Sequence, residues 1–559
     1  MLSHCWKNSI PLTSRAGMGI IGCWPMNLGD RMKTLFTNAV IYSPDKLKAD
    51  TIAVYDGRIL EIGSKTNLLS LKRRGFKVID LMKKTVLPGF IDSHVHLLST
   101  GYSLMNVNLD DLDSLDKAVA KIKKAAARRA AGRWLLGRGW NKNLWGIDFP
   151  DKKILDQACP DSPAAFYSKD GHSLWANSAA LQYAGITASM PDPDGGKIMR
   201  DAAGEPTGIL FETATELLMN RVPEPTADLK MRALKMAVSH FNKFGITGVG
   251  DCDWYANRLN IFRQGREKNQ LNLRVFMMLA PDDVDSAVRL GLKTGFGDDF
   301  ITTGCLKLYM DGALGSQTAW MHSAYEGRPD NFGMSTLTGD ELEMYFEKTH
   351  MSGIGLAIHA IGDRANSEVL AFFAKKYAVS KKLGLKHRIE HVQLLRRNDI
   401  SKFNRYNISA SVQPVHIISD RDMADEHWGK RSEYAYPLGM LLQAGARLGF
   451  GSDCPIENPN PMLGIYAAVC RKRPGDTRTA WYTKQCISLG EAVKAYTTGA
   501  ADICGWQGKT GVLAPGARAD LVVLSDDIFK TKIDSLPEVA VLATIIDGQV
   551  VHKDGAFKL

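Results

Sequence analysis

Thr85-Val86-Leu87-Pro88-Gly89-Phe90-Ile91-Asp92-Ser93-His94-Val95-His96 is apolar, turns at Pro88-Gly89, is apolar again, and ends in two histidines one residue apart. Side chains on a strand alternate faces, so this spacing predicts that His94 and His96 leave the last pleat on the same side. Two imidazoles on one face make a two-toothed metal clamp. About 0.3 such pairs arise by chance in 559 residues holding 13 His, so the pair is a weak motif by itself. It gains weight from ligand-type residues at the ends of later strands.

Downstream of this stretch the chain alternates strand and helix. Gly245–Gly250, Leu273–Leu279, Thr303–Met310, Gly355–His359, His387–Val392, Ile408–Gln413 and Leu448–Asp453 read as strands two to eight. Helical patterns lie between them, among them Asp228–Phe244, Asp340–Met351, Asp363–Val379 and Glu433–Ala444. Eight such repeats are the count of an α/β (β/α)8 TIM barrel. An open doubly wound sheet is disfavoured because no Gly-x-Gly-x-x-Gly follows an early strand. Upstream, short runs with a hairpin signal at Asp56-Gly57, and downstream, runs around Asp547-Gly548, are all β in character. The expected organisation is a leader at 1–32, a flanking β-sandwich built from both termini (33–87 plus 505–559), and the barrel at 88–504. The barrel carries an insertion at about 100–220, with a basic helix near Leu115–Ala131 and a Trp/Gly-rich region at Trp134–Trp145.

Composition narrows the function classes. Hydrophobic residues are 45% and charged residues 23%, an ordinary globular balance. The net charge of +10 comes from 70 basic and 60 acidic residues interleaved without a long basic block, so no nucleic-acid partner is expected. The nine Cys are scattered and odd in number, with no C-x-x-C, which argues for a reducing, cytoplasmic setting. No apolar run reaches transmembrane length, so no membrane partner is expected either. Lys7, Arg15 and Gly19–Cys23 faintly match a lipoprotein signal, but the apolar part is too short, and a disordered or mis-started leader is the expectation. A homodimer is compatible with this composition.

The ligand-type residues fall at strand ends. Strand four carries Lys307 within Leu306–Gly312, strand five ends in His359, strand six in His391 and strand eight in Asp453. In barrels that C-terminal face is where chemistry resides. Four neutral imidazoles suit a divalent metal, Zn²⁺ foremost, at one or two ions per chain. A lysine inside an apolar strand tends to lose its proton, and the neutral amine can add CO₂ to give a carbamate able to bridge two ions. Asp453 can ligate a metal and act as general base, then acid, for a water activated near neutral pH. Asp453 and His391 are thus the catalytic candidates, and His94, His96, Lys307, His359, His391 and Asp453 the metal-site candidates.

Pro88–His96 resembles the opening signature of the amidohydrolase superfamily. Gly137–Trp140, Asp170–Asn177, Lys307–Gly315, His359–Ala365, Gly451–Pro455 and Gly511–Leu524 resemble, more narrowly, its YtcJ-like branch (amidohydrolase 3). The resemblance runs from about residue 33 to the C-terminus. It implies a metal-dependent hydrolase on a (β/α)8 barrel with a flanking β-sandwich, with His94, His96, His359, His391 and Asp453 as metal-site residues. It also implies that Lys307 stands where binuclear members carry a bridging carboxylated lysine. The expected activity is hydrolysis of a non-peptide C–N bond in a small amide-type substrate: an N-acyl compound, a formamide or a cyclic amide. A one-metal deaminase of an amidine-like ring and a non-catalytic scaffold are the alternatives. Trp140, Asp170, His172 and Glu212 are candidate substrate contacts from the insertion. His387, Glu390, Gln413 and His416 are further candidates near strands six and seven, and Asp311 reads as a turn cap.

Overall fold

The computed structural model describes residues 32–42, 49–110, 112–129, 132–169, 173–193, 196–555 and 557. The expected leader, Asp170 and His172 lie outside the described residues. Eight parallel strands form one sheet in chain order: β1 (Phe90–Val95), β2 (Ile246–Asp251), β3 (Arg274–Leu279), β4 (Ile301–Tyr309), β5 (Leu356–Ala360), β6 (His387–His391), β7 (Ile408–Val412) and β8 (Arg447–Phe450). Most of these strands are buried along their whole length, as expected of a parallel sheet covered on both faces. Helices such as Ala227–Lys243, Gly339–Thr349 and Asp363–Leu383 return the chain from strand to strand. Thr338 and Glu341 start the second of these with a reciprocal capping box. Ile91, Phe276, Met278, Cys305 and Ala357 fill the barrel interior together with Ala500, Ile503 and Trp506.

The barrel closes just beyond β8. Asp453 N donates to His94 O and His96 N to Cys454 O, both at 2.8 Å. Ser452 donates to Asp92 through both its N–H (2.9 Å) and its hydroxyl (2.5 Å). This approach requires glycine at 451, where a Cβ would sit 2.7 Å from His94 N and 2.9 Å from Asp92 Oδ1.

Two further sheets come from the N- and C-terminal regions. One has four strands (Lys33–Thr37, Thr51–Tyr55, Arg58–Gly63, Lys77–Asp80). The other has five and mixes both regions (Val40–Ile41, Thr85–Pro88, Leu521–Leu524, Val541–Ile546, Gln549–Lys553). Phe36, Ile52, Val54 and Ile59 pack with Val86, Leu521, Val523 and Ile545 in one core. Both hairpin signals are turns with consecutive positive φ, at Asp56-Gly57 (51° and 75°) and Asp547-Gly548 (50° and 75°). Arg274 at the start of β3 ties this region to the barrel, donating to Asp520 (2.7 and 2.8 Å) and Asp547 (2.5 Å).

The insertion contains a six-stranded mixed sheet, in the order Gly196–Arg200, Pro206–Glu212, Ser173–Ala176, Ala164–Ser168, Leu135–Trp140, Val107–Asn108. Its alternate residues feed separate cores, Phe166, Trp175 and Ile209 on one face and Ala165, Leu174 and Leu210 on the other. The basic helix runs over Leu115–Ala126, capped by Ser114. The helix expected at Glu433–Ala444 is instead a 3-10 segment Gly429–Tyr434 and a short helix Leu438–Gln443. Pro437 disfavours the α conformation at Tyr436, which sits at φ 47° and breaks the run.

Candidate metal centre

The C-terminal ends of β1, β5, β6 and β8 bring histidines and one aspartate together. Ring centroids run His96–His94 5.8 Å, His94–His391 4.7 Å and His391–His359 4.4 Å. Nε2 of His94 and Nε2 of His96 both face Asp453 Oδ1, at 3.3 and 3.2 Å. Ligand atoms of His94, His391 and Asp453 lie within 4.8 Å of one another. His391 (φ 71°) and Asp453 (φ 61°) hold left-handed backbone where their strands end. Such conformations cost on the order of 1–3 kcal/mol each and cluster at functional sites.

A second layer fixes the imidazoles. His94 Nδ1 meets Glu390 Oε2 at 2.6 Å, which leaves Nε2 for the centre. Glu390 is gripped by Arg388 Nε and Nη2, and Arg388 Nη2 also donates to Ser93 O (2.8 Å) and Ser411 Oγ (2.7 Å). His96 Nδ1 lies 3.3 Å from Asp253 Oδ1. Asp253 accepts from the N–H of Leu98 (2.7 Å) and Ser99 (3.1 Å) and from the Ser99 hydroxyl (2.7 Å). His359 Nε2 bonds Gly312 O at 3.0 Å, leaving Nδ1 free.

Electrostatics prepare these groups as ligands. Burial, then the Lys307 charge, pushes the His359 imidazole down to about 3. Burial with the neighbouring His359 and His94 pushes His391 well below its usual value. Both rings are therefore neutral, the form that binds metal. Burial pushes the Asp453 carboxyl up, but His94 and His96 hold it well below the usual range. Burial opposes charge on His96, yet Asp253 and Asp453 raise it to about 10, a field that favours a cation at this position. Lys307 is fully buried, its ammonium pushed down by burial against the pull of nearby acidic groups, and Nζ lies 4.5 Å over the Tyr309 ring. Lys307 Nζ, His359 Nδ1, His391 Nδ1 and Asp453 Oδ1 are all buried without a hydrogen-bond partner. Buried polar atoms are nearly always paired, so this group of nitrogen and oxygen donors fits a divalent cation.

Trp140, Glu212 and His387 lie elsewhere, and Asp311 lies behind the centre with Oδ1 3.5 Å from His359 Nε2. Trp140 is buried in the core of the inserted sheet, its indole N–H donating to Phe166 O at 2.8 Å. Glu212 is exposed at the end of Pro206–Glu212. His387 opens β6 at the opposite end of the strand, where Nδ1 accepts from Leu356 N (3.1 Å) and Nε2 meets Ser380 Oγ (2.9 Å). Asp311 caps the chain after β4, accepting from the N–H of Trp320, Ile361 and Gly362. Sequence reasoning missed Asp253, Arg388 and Asp92, and gave Glu390 no specific role. Asp253 follows β2 by two residues, so a search of strand ends for carboxylates would have found it.

Known proteins were compared with this chain. A family model described as "Amidohydrolase family" (Amidohydro_3) matches residues 77–552. The chain is 32% identical to YtcJ of Bacillus subtilis (strain 168), over 93% of this chain and 100% of that protein. It is 26% identical to an N-substituted formamide deformylase of Arthrobacter pascens, over 89% and 94%. Among solved structures it matches an uncharacterized metal-dependent hydrolase from Pyrococcus horikoshii OT3 with TM-score 0.77 and 28% identity, covering 90% of this chain and 99% of that one.

Proposed function

This chain belongs to the amidohydrolase family, and from that premise we propose that it is a metal-dependent hydrolase of a non-peptide C–N bond. Its substrate class is the small amide: an N-acyl or N-formyl amine, or a cyclic amide. The observation that carries this reading is the convergence of unpartnered buried donors on Asp453 and the imidazoles around it. The likeness to a formamide deformylase supports the bond type, and the likeness to a metal-dependent hydrolase supports the cofactor.

In this reading His94, His96, Lys307, His359, His391 and Asp453 hold one or two divalent ions, Zn²⁺ being the cation that this donor set suits. Bound there, such an ion would supply a nucleophilic water near neutral pH and polarise the substrate carbonyl. Asp453, kept ionised by His94 and His96, takes a proton from the attacking water and returns it to the departing amine nitrogen as the C–N bond breaks. Glu390 and Asp253 hold His94 and His96 with Nε2 toward Asp453, so the ligand set is ordered in advance. Burial pushes the Lys307 ammonium toward losing its proton, and the free amine could take up CO₂ as a carbamate and join the ligand set.

The test is a panel of N-formylated amines, N-acylated amines and cyclic amides with zinc-loaded protein, alongside elemental analysis. Amine release with two metals per chain supports the reading in full. One metal per chain with ammonia release from an amidine-like ring turns it to a deaminase. Metal-free protein inert to every amide leaves the barrel as a scaffold.

A further inference from the structure

His416 stands beside the centre without a task in the ligand set. It is the first residue of the helix His416–Trp428, shortly after β7, a strand that contributes none of the candidate ligands. Its ring lies 6.4 Å from that of His391, and its Nε2 lies 3.8 Å from Asp453 Oδ2. The two oxygens of Asp453 thus face different partners, Oδ1 toward His94 and His96 and Oδ2 toward His416. The His416 side chain is 9% exposed, and Nε2 has no hydrogen-bond partner among the described residues. At 3.8 Å the gap to Asp453 is too long for a hydrogen bond.

A second carboxylate lies behind the ring. Nδ1 lies 4.0 Å from Asp420 Oδ2, to which the buried Tyr436 hydroxyl donates. Tyr436 is fixed in turn by the buried Arg471, which donates to Tyr436 O (2.9 Å) and Ala435 O (3.0 Å). Nε2, buried at the centre and without a hydrogen-bond partner among the described residues, is the ring atom open to a ligand.

We propose that His416 is a substrate-binding residue whose Nε2–H donates to the carbonyl oxygen of the amide while its carbon faces Asp453. This rests on the function proposed above. As the carbon becomes tetrahedral, charge builds on that oxygen and the hydrogen bond strengthens, so its contribution falls on kcat more than on KM.

The experiment uses zinc-loaded full-length protein and N-butylformamide carrying ¹³C at the carbonyl. His416→Phe is expected to lower kcat by about 10²–10³-fold with KM nearly unchanged, the size of losing one such donor. His416→Asn and His416→Gln, which keep an N–H, are expected to recover part of that loss. The infrared carbonyl band of the bound probe is expected at lower wavenumber in wild type than in His416→Phe. Equal kcat in wild type and His416→Phe, or no recovery in the amide variants, overturns the assignment. If His416→Phe does not fold, the band in wild type against His416→Asn decides, and an identical band overturns it. If wild type binds the probe without cleaving it, the proposed function fails while the infrared comparison still decides His416. If the probe does not bind at all, both fall.

Discussion

Two buried clusters of charge sit at opposite ends of the barrel strands. At the start of β3, Arg274 meets Asp520 with two nitrogens and also reaches Asp547 and Asp299 O. Asp520 further accepts from Thr510 Oγ1 (2.8 Å) and Asp547 N (3.0 Å). At the other end, Asp453 and its imidazoles lie as deep, yet five of the atoms around them have no hydrogen-bond partner. The first cluster is complete as folded and holds the terminal sheets to the barrel. The second leaves buried nitrogen and oxygen atoms unpaired around a carboxylate, an arrangement suited to a cation. Pairing, rather than burial or charge, separates a structural network from a reactive one.

The sharpest way to break this contrast is His94→Ala. It should abolish retention of divalent metal in elemental analysis and take hydrolysis to background, and unchanged metal content would refute the ligand assignment. Asp453→Asn should lower kcat by about 10²–10⁴-fold with melting temperature nearly preserved, as seen by calorimetry beside steady-state kinetics. Arg274→Ala should do the reverse. It leaves Asp520 buried and unpaired, at a cost of roughly 3–5 kcal/mol of stability, while kcat/KM of the folded fraction stays intact. A loss of activity without loss of stability would erase the distinction. Glu390→Gln should weaken metal binding by about 10–100-fold in competition with a chelator, because it removes the carboxylate that orients His94.

The smallest effect is one of pH. Burial pushes the Asp520 carboxyl up, but Arg274 pulls it below its usual value. A depressed carboxyl stabilises the fold above its unfolded value of about 3.9 and loses that contribution as pH falls through the folded value. The melting-temperature gap between wild type and Arg274→Ala should therefore be full at pH 7 and narrow below about pH 4. A gap that widens in acid contradicts the pairing.

Much of this was legible from the chain alone because barrel strands announce themselves. The ends of β2 to β7 lie within two residues of the expected ones, and the two Asp-Gly turns have the positive φ pair that such dipeptides favour. The gathering of His94, His96, His359, His391 and Asp453 followed from assigning each to the same end of its strand. The supporting layer was less visible. Arg388 and Glu390 are two apart on β6, but nothing local says that one serves His94, almost three hundred residues earlier. Trp140, in a Gly-flanked run, looked like a loop residue. It belongs to a strand of an inserted sheet whose members span only two to seven residues, too short for a period to show. Asp453 lies three residues past the end of β8, because the chain leaves the sheet to reach His94 and Asp92.

That crossing from β8 to β1 bears on biosynthesis. The clasp formed by Asp92, Ser452 and Asp453 cannot exist until the last barrel strand has left the ribosome, whereas His94 and His96 emerge near the beginning. A nascent chain therefore carries two of the six candidate ligands long before Asp453 is made. Fragments truncated before residue 452 should therefore fail to close the barrel at this seam.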